Sequence, residues 1–146
     1  MISKNKKIIP KGAGIIIMRR FGDQNKLLGL IGPNYLQKKH NGKFDVPKGC
    51  LDPGESFFNC AQRECFEEVD YTKDDYSILL GPWQSNNLRI WLAKTDKDPH
   101  LKINQKIGTP EHLGYEWVTP ENLLENCYEY LKPCVSWASD MAKLYV

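Results

Sequence analysis

The sequence predicts an α/β or α+β fold in a single domain, built mostly of strands with two or three helices. Three observations support this fold class. The chain has 146 residues, of which 41% are hydrophobic, which is enough for one core and too little for two. Segment 14–21 is rich in β-branched residues and predicts a strand. Segment 56–69 lacks Gly and Pro and places apolar residues at helical spacing. We expect one domain over residues 1–146.

Strands are predicted from β-branched and aromatic runs that end at turn residues. The predicted strands are 14–21, 26–32, 43–46, 76–83, 88–94 and 115–118. A turn at 22–25 joins the first two strands, and residues 84–87 predict a hairpin between the fourth and fifth. Residues 33–42 are polar and predict a loop.

Helices are predicted at three places. The first is Ser56 to Val69, where positions 58, 61, 65 and 69 are apolar. Thr119 followed by Pro120 is typical of a helix N-terminus, with Thr as the cap and Pro in the first turn. Residues 134–145 carry apolar side chains at helical spacing and predict a helix that packs on the sheet.

Charge and cysteine content argue against several classes of protein. The net charge of +2 does not indicate a nucleic-acid-binding protein. No apolar run approaches the roughly 20 residues that span a bilayer, and the first residues do not resemble a secretory signal. The five cysteines form no CxxC pair, which favours reduced thiols over a disulfide framework or a zinc knuckle. We therefore expect a cytoplasmic, intracellular protein with no membrane partner and no evident obligate protein partner.

Residues 49–71, GCLDPGESFFNCAQRECFEEVDY, concentrate negative charge around one arginine. Glu64, Glu67 and Glu68 are three or four residues apart on the predicted helix, so their like charges share one side and repel. A divalent cation would reverse that repulsion, because Mg²⁺ and Mn²⁺ prefer oxygen ligands. The preceding turn could add a backbone carbonyl and the ammonium group of Lys48. Taken alone, the three acids are also typical of a solvated helix face.

The full spacing of this segment resembles the Nudix box, G-x5-E-x7-R-E-U-x-E-E-x-G-U, where U is a bulky apolar residue. The matching residues are Gly49, Glu55, Arg63, Glu64, Glu67, Glu68 and Tyr71. Cys65 stands where the family usually has a larger aliphatic residue, and Asp70 replaces the last glycine. Because Asp tolerates left-handed backbone geometry better than most residues, we expect the helix to end normally.

The resemblance to Nudix hydrolases implies a mixed β-sheet sandwiched between α-helices, with the box forming a loop–helix–loop. It implies metal-dependent hydrolysis of a pyrophosphate linkage in a nucleoside diphosphate linked to another moiety. Glu55 and Arg63 would join the loop to the helix by an ion pair. The implied ligands for Mg²⁺ or Mn²⁺ are Glu64, Glu67, Glu68 and the carbonyl of Gly49.

A carboxylate must accept a proton from the attacking water in such a reaction. Two candidates stay open, Glu67 on the helix and Glu111 in the loop before the predicted strand 115–118. Lys48 is the third candidate catalytic residue, because its ammonium group could contact the phosphate.

Two flanking motifs resemble those of asymmetric dinucleoside polyphosphate hydrolases. FDVPKG at 44–49 resembles W-x-x-P-K-G, and EHLGYEW at 111–117 resembles E-H-x-x-Y-x-W. This resemblance implies a substrate such as diadenosine tetraphosphate. Two features depart from the subfamily. Cys50 replaces the histidine that usually follows P-K-G, and the hairpin that supplies an aromatic for adenine is short here.

Candidate substrate contacts lie outside the box. Lys43 and residues 38–40 could form a basic lip for a polyphosphate, or a solvated loop. Tyr76 and Trp83 could stack on a base, with burial in the core as the alternative for Trp83. His112 could contact the leaving phosphates or cap the strand.

The expected partner is a small-molecule nucleotide substrate. The alternative substrates are capped RNA in mRNA decapping, diphosphoinositol polyphosphates and nucleoside triphosphates. An alternative of another class is a non-catalytic nucleotide-binding module that keeps the fold without the chemistry.

Overall fold

A computed structural model describes residues 10–145 and places seven strands in one mixed sheet. The strands are β1 (Gly12–Phe21), β2 (Gln24–Ile31), β3 (Phe44–Asp45), β4 (Lys48–Cys50), β5 (Tyr76–Gln84), β6 (Leu88–Thr95) and β7 (Gly114–Val118). The helices are α1 (Asn34–His40), α2 (Phe57–Val69), α3 (Pro120–Asn126) and α4 (Lys132–Ala142), with a 3-10 helix at Glu129–Leu131.

The strand order is β3–β2–β1–β6–β5, with β4 paired to β1 and β7 paired to β2. β1 runs parallel to β6, and the other pairs are antiparallel. Residues alternate between the two faces of a strand, so Ile15 and Ile17 of β1 belong to the core layer beneath α2. Ile16 and Met18 belong to the layer beneath α3 and α4. Helices therefore cover both faces, which confirms the predicted α/β sandwich.

The box helix ends where the sequence predicts. Ser56 caps α2 by accepting a hydrogen bond from the Asn59 N–H at 3.1 Å. Asp70 follows α2 with φ of 63°, the left-handed geometry expected at that position. The Thr119 cap, the C-terminal helix and the turn after β5 also appear as predicted.

The prediction of a loop over residues 33–42 was wrong, because α1 occupies Asn34–His40. None of its residues is buried, so the segment lacks the apolar periodicity by which a helix is usually found in a sequence. The sequence features that do favour a helix here are weaker than such periodicity. Residues of good helix propensity lie between Pro33, which precedes the helix, and Asn41, which ends it with a φ of 51°.

The cysteines are reduced thiols, as their spacing predicts. All five cysteines are free, and all except Cys50 are buried. Burial raises the pKa of Cys60 and of Cys134 to about 12. Between residues 10 and 145, no helix is long and apolar enough to cross a membrane. Most of the N-terminal segment that we compared with a secretory signal lies outside the described residues.

Candidate active site

The box loop and α2 surround Arg63, which binds the loop to the helix. Its Nε and Nη2 donate to the two carboxylate oxygens of Glu55 at 2.8 and 2.9 Å. Nη2 also donates to the Cys50 carbonyl at 2.9 Å, and Nη1 donates to Glu64 at 2.9 Å. Hydrogen bonds from Arg63 and from the Asp52 N–H lower the pKa of Glu55 to about 2. The ion pair between Glu55 and Arg63 therefore joins the box loop to α2.

Two carboxylates of α2 are shielded from solvent: Glu68 is buried and Glu64 is partly buried. The positive charge near them is too small to offset the burial of their negative charge. Glu68 is 7% exposed, and its Oε2 accepts the Lys48 backbone N–H at 2.9 Å. Burial, together with the neighbouring charges of Asp45 and Glu64, raises the pKa of Glu68 well above its ordinary value. Burial also raises the pKa of Glu64, in spite of Arg63. A site of this kind fits a divalent cation, which would favour both ionised carboxylates.

Gly49 on β4 lies directly against these acids. A Cβ at this position would overlap the carboxylate of Glu64 and displace it, so glycine allows the carboxylate to occupy its present position. Glu67 lies further out, with about half of its side chain exposed and its carboxylate 3.2 Å from Nη1 of Arg63. Glu64, Glu67 and Glu68 line one cavity, and Gly49 packs against Glu64 beside it.

A cavity of about 600 Å³ lies between α2 and the loop that precedes β7. Its acidic wall contains Asp52, Glu64, Glu67 and Glu68. The same cavity is also lined by Lys102, Asn104, Lys106, Glu111 and His112. Glu111 accepts a hydrogen bond from the amide of Asn104. The ammonium group of Lys102 lies 3.5 Å from Oδ1 of Asp70 and 3.5 Å from the centre of the Phe66 ring. The cavity therefore combines carboxylates for a metal with Lys106, whose ammonium group could bind phosphate oxygens.

His112 lies at the back of this cavity and is 6% exposed. Its Nε2 is 3.1 Å from Oδ2 of Asp45, and its Nδ1 is 3.9 Å from Oε1 of Glu68. One ligand atom each from Glu68, Glu111 and His112 lie within 4.8 Å of one another, so the three could hold a metal ion.

Lys48 and Lys43 do not line the cavity. Because Gly49 faces α2, the side chain of Lys48 points to the other face of the sheet. There its Nζ is 3.1 Å from Oδ1 of Asp45 and 5.3 Å from the centre of the Tyr130 ring. Lys43 is exposed and pairs with Glu116 at 3.0 Å. The predicted phosphate contact and catalytic role of Lys48 do not fit this placement, since its ammonium group is already engaged.

The two aromatic residues proposed to stack on a base lie away from the cavity as well. Tyr76 is 7% exposed within the core layer beneath α2, so its ring offers no open face to a base. Trp83 is partly buried against the opposite core layer, which is the alternative that the sequence left open.

The sequence did not predict a role for three residues in or beside the site, Asp45, Lys102 and Lys106. Asp45 belongs to the FDVPKG motif, and the structure shows that it contacts both Lys48 and His112. Lys102 and Lys106 lie in an irregular segment where lysines are ordinarily solvated. The one available signal was that this segment leads directly into the EHLGYEW motif.

The chain is similar to several known proteins. It matches the NUDIX domain family over residues 9–138. It is 25% identical over 127 residues to the asymmetrical bis(5′-nucleosyl)-tetraphosphatase of Caenorhabditis elegans, covering 81% of this chain and 85% of that protein. It is 31% identical over 126 residues to an RNA pyrophosphohydrolase of Yersinia pestis (strain Pestoides F), covering 73% of this chain and 67% of that protein.

The fold is shared with a solved structure of Ap4A hydrolase from C. elegans in a binary complex. The TM-score is 0.72 at 24% identity, over 94% of this chain and all of that one (100%). With a match that spans most of the sequence, and with the expected acids at Glu55 in the box loop and at Glu64, Glu67 and Glu68 on α2, the chain belongs to the Nudix family of hydrolases.

Proposed function

We propose that this Nudix pyrophosphohydrolase cleaves a dinucleoside polyphosphate, such as diadenosine tetraphosphate. The observation that carries the proposal is the cavity of about 600 Å³, which is lined both by the three box glutamates on α2 and by Lys106. A polyphosphate chain needs both kinds of group, because metal-bound oxygens would lie at the acids and the remaining oxygens need cations. The flanking motifs at 44–49 and 111–117 and the relative from C. elegans support this substrate class.

The residue roles follow from position. Glu64, Glu67, Glu68 and the carbonyl of Gly49 would hold Mg²⁺ or Mn²⁺, which supplies charge neutralisation and a water of lowered pKa. Glu55 and Arg63 keep the Gly49 segment against α2.

A carboxylate of the chain accepts the proton that the attacking water loses. The oxygen of a water forms a bond to one phosphorus, the bridging P–O bond breaks, and a nucleotide leaves with the bridging oxygen. Glu67 and Glu111 both line the cavity, and they are the two candidates to accept the proton of that water. Glu67→Gln and Glu111→Gln should separate the two, because the base variant loses kcat while the other changes metal dependence.

A substrate panel with Mg²⁺ and with Mn²⁺ tests the proposal. It should contain diadenosine tetraphosphate, ADP-ribose, nucleoside triphosphates and a diphosphoinositol polyphosphate. ATP plus AMP from the diadenosine compound would support an asymmetric dinucleoside polyphosphate hydrolase. Strong turnover of another compound, with the diadenosine compound inert, would overturn the substrate class. Glu68→Gln should abolish all turnover. Metal binding with no turnover of any compound would favour a non-catalytic binding module.

RNA 5′ ends are a second candidate, favoured by the similarity to an RNA pyrophosphohydrolase at 31% identity. Triphosphorylated and capped RNA therefore belong in the same panel. Turnover of RNA that falls steeply with added salt would support this candidate, because salt weakens contacts to a phosphate backbone.

A further inference from the structure

A buried carboxylate, Asp45, supports His112 from behind. Asp45 lies on β3 and is 7% exposed, and His112 directly precedes β7. Both strands pair with β2, at Leu30↔Asp45 and at Ile31↔Gly114, so the sheet fixes the two residues relative to one another. The backbone N–H of Leu113 donates to the Ile31 carbonyl at 2.7 Å, which holds the His112 backbone at the same end of β2 as Asp45.

The hydrogen bonds of Asp45 determine which nitrogen of His112 carries the proton. Oδ1 of Asp45 accepts the Val46 N–H at 2.8 Å and lies 3.1 Å from the ammonium of Lys48. Oδ1 is therefore engaged by two donors, and Oδ2 is the oxygen left to accept a hydrogen bond from Nε2 of His112. In the neutral imidazole, the lone pair is then on Nδ1.

Nδ1 of His112 faces the side chain of Glu68. Oε1 of Glu68 lies 3.9 Å away, which is too far for a hydrogen bond. The other oxygen of Glu68 already accepts the Lys48 N–H, so Glu68 is held in this orientation. Within residues 10–145, Nδ1 makes no hydrogen bond to a protein group, and His112 lines the cavity. A metal ion in the cavity could take the lone pair of Nδ1 and the carboxylate oxygen of Glu68 as ligands.

We propose that His112, Glu68 and Glu111 form a mixed nitrogen and oxygen metal site, oriented by Asp45, which binds Mn²⁺ in preference to Mg²⁺. The ligand atoms lie within 4.8 Å of one another, and bonds of about 2.1 Å need donors about 3–4 Å apart. Small side-chain movements are enough to close this difference. Any effect of this metal on catalysis rests on the proposed function, whereas the prediction that the metal binds does not.

The preference follows from the ligand set. Both ions prefer oxygen ligands, but Mn²⁺, as a transition metal, accepts an imidazole nitrogen more readily than Mg²⁺ does. Asp45 behind His112 forms the carboxylate–histidine pair that commonly orients a metal-binding imidazole, and removing such a partner typically weakens metal binding about 10–100-fold.

Pulsed electron paramagnetic resonance of the full, tag-free chain loaded with Mn²⁺ tests the proposal directly. We expect a nitrogen hyperfine coupling from a directly bound imidazole, measured at one to three equivalents of Mn²⁺. Labelling the protein with ¹⁵N-histidine should change the pattern of this coupling. Absence of imidazole coupling at every loading would overturn the proposal, and this result does not depend on a variant being folded.

Two variants and a matched control assign the signal. His112→Asn should abolish the coupling and lower Mn²⁺ affinity in calorimetry about tenfold or more, with Mg²⁺ affinity changed less than twofold. Asp45→Asn should weaken Mn²⁺ binding while keeping some coupling. His100→Asn, an exposed histidine outside the site, should behave like the wild type. Coupling that persists in His112→Asn, or an equal loss of Mn²⁺ and Mg²⁺ binding, would overturn the proposal.

The result is separable from the proposed function. If the substrate panel fails while the coupling is present in the wild type and lost in His112→Asn, the metal site stands and the substrate class falls. If turnover of the diadenosine compound is found without any coupling, the metal site falls and the substrate class stands.

Discussion

Replacing Glu55 with Gln should destabilise the fold by an amount that depends on pH. The substitution keeps the shape of the side chain but removes the charge that accepts two hydrogen bonds from Arg63, at 2.8 and 2.9 Å. A fall in the pKa of Glu55 from 4.5 to about 2 corresponds to at most about 3 kcal/mol. Solvent screens this pair, and Arg63 keeps Glu64 and Glu67 as partners, so we expect about 1–2 kcal/mol.

Urea unfolding of the wild type and Glu55→Gln gives the difference in free energy of unfolding. Because the folded protein lowers the pKa of Glu55, the stabilisation is complete above the unfolded value of about 4.5. It is lost as pH falls towards about 2. The difference should therefore be equal at pH 7 and pH 6 and smaller at pH 3.5. Glu125→Gln, an exposed glutamate on α3, is the control and should change stability by less than about 0.5 kcal/mol. A difference near zero at pH 7, or one independent of pH, would refute the reasoning.

Three further substitutions test other parts of the structure. Ser56→Ala removes the cap that accepts the Asn59 N–H, and should lower the free energy of unfolding by about 1 kcal/mol in urea; no loss would mean that the cap contributes nothing. Asp70→Gly relieves a φ of 63° and should raise the melting temperature by about 1–3 °C; a decrease would show that the aspartate side chain is needed. Lys106→Ala should lower kcat/KM on diadenosine tetraphosphate about five- to tenfold, because one charged hydrogen bond to the substrate is lost. Lys94→Ala, at an exposed lysine outside the cavity, is the control. Equal effects of the two substitutions would show that Lys106 does not bind phosphate.

The box helix could be predicted from the sequence because its signals are local. Ser56, the apolar spacing and Asp70 define α2 within one stretch of chain, and the same stretch carries the acids. The strands with β-branched runs were predictable for the same reason, since β1 and β2 are buried on one or both faces.

The direction of Lys48 could not be predicted, because it depends on one residue of strand register. β4 has only three residues and pairs with β1 at Ala13↔Gly49, and this pairing sends neighbouring side chains to opposite faces. The contact between Asp45 and His112 was hidden for another reason. The two residues are 67 positions apart, and the sheet alone brings them together.

The separation in sequence of the residues around Glu68 links metal binding to folding of the whole chain. Lys48 is 20 positions from Glu68, and Asp45 is 67 positions from His112, so no short fragment contains the site. A metal bound at this site would be a ligand of the native state alone, and at a free concentration of 100 times Kd it would add about 2.7 kcal/mol to the free energy of unfolding. The stability of this protein would then depend on the buffer as well as on the chain, and a chelator would lower it.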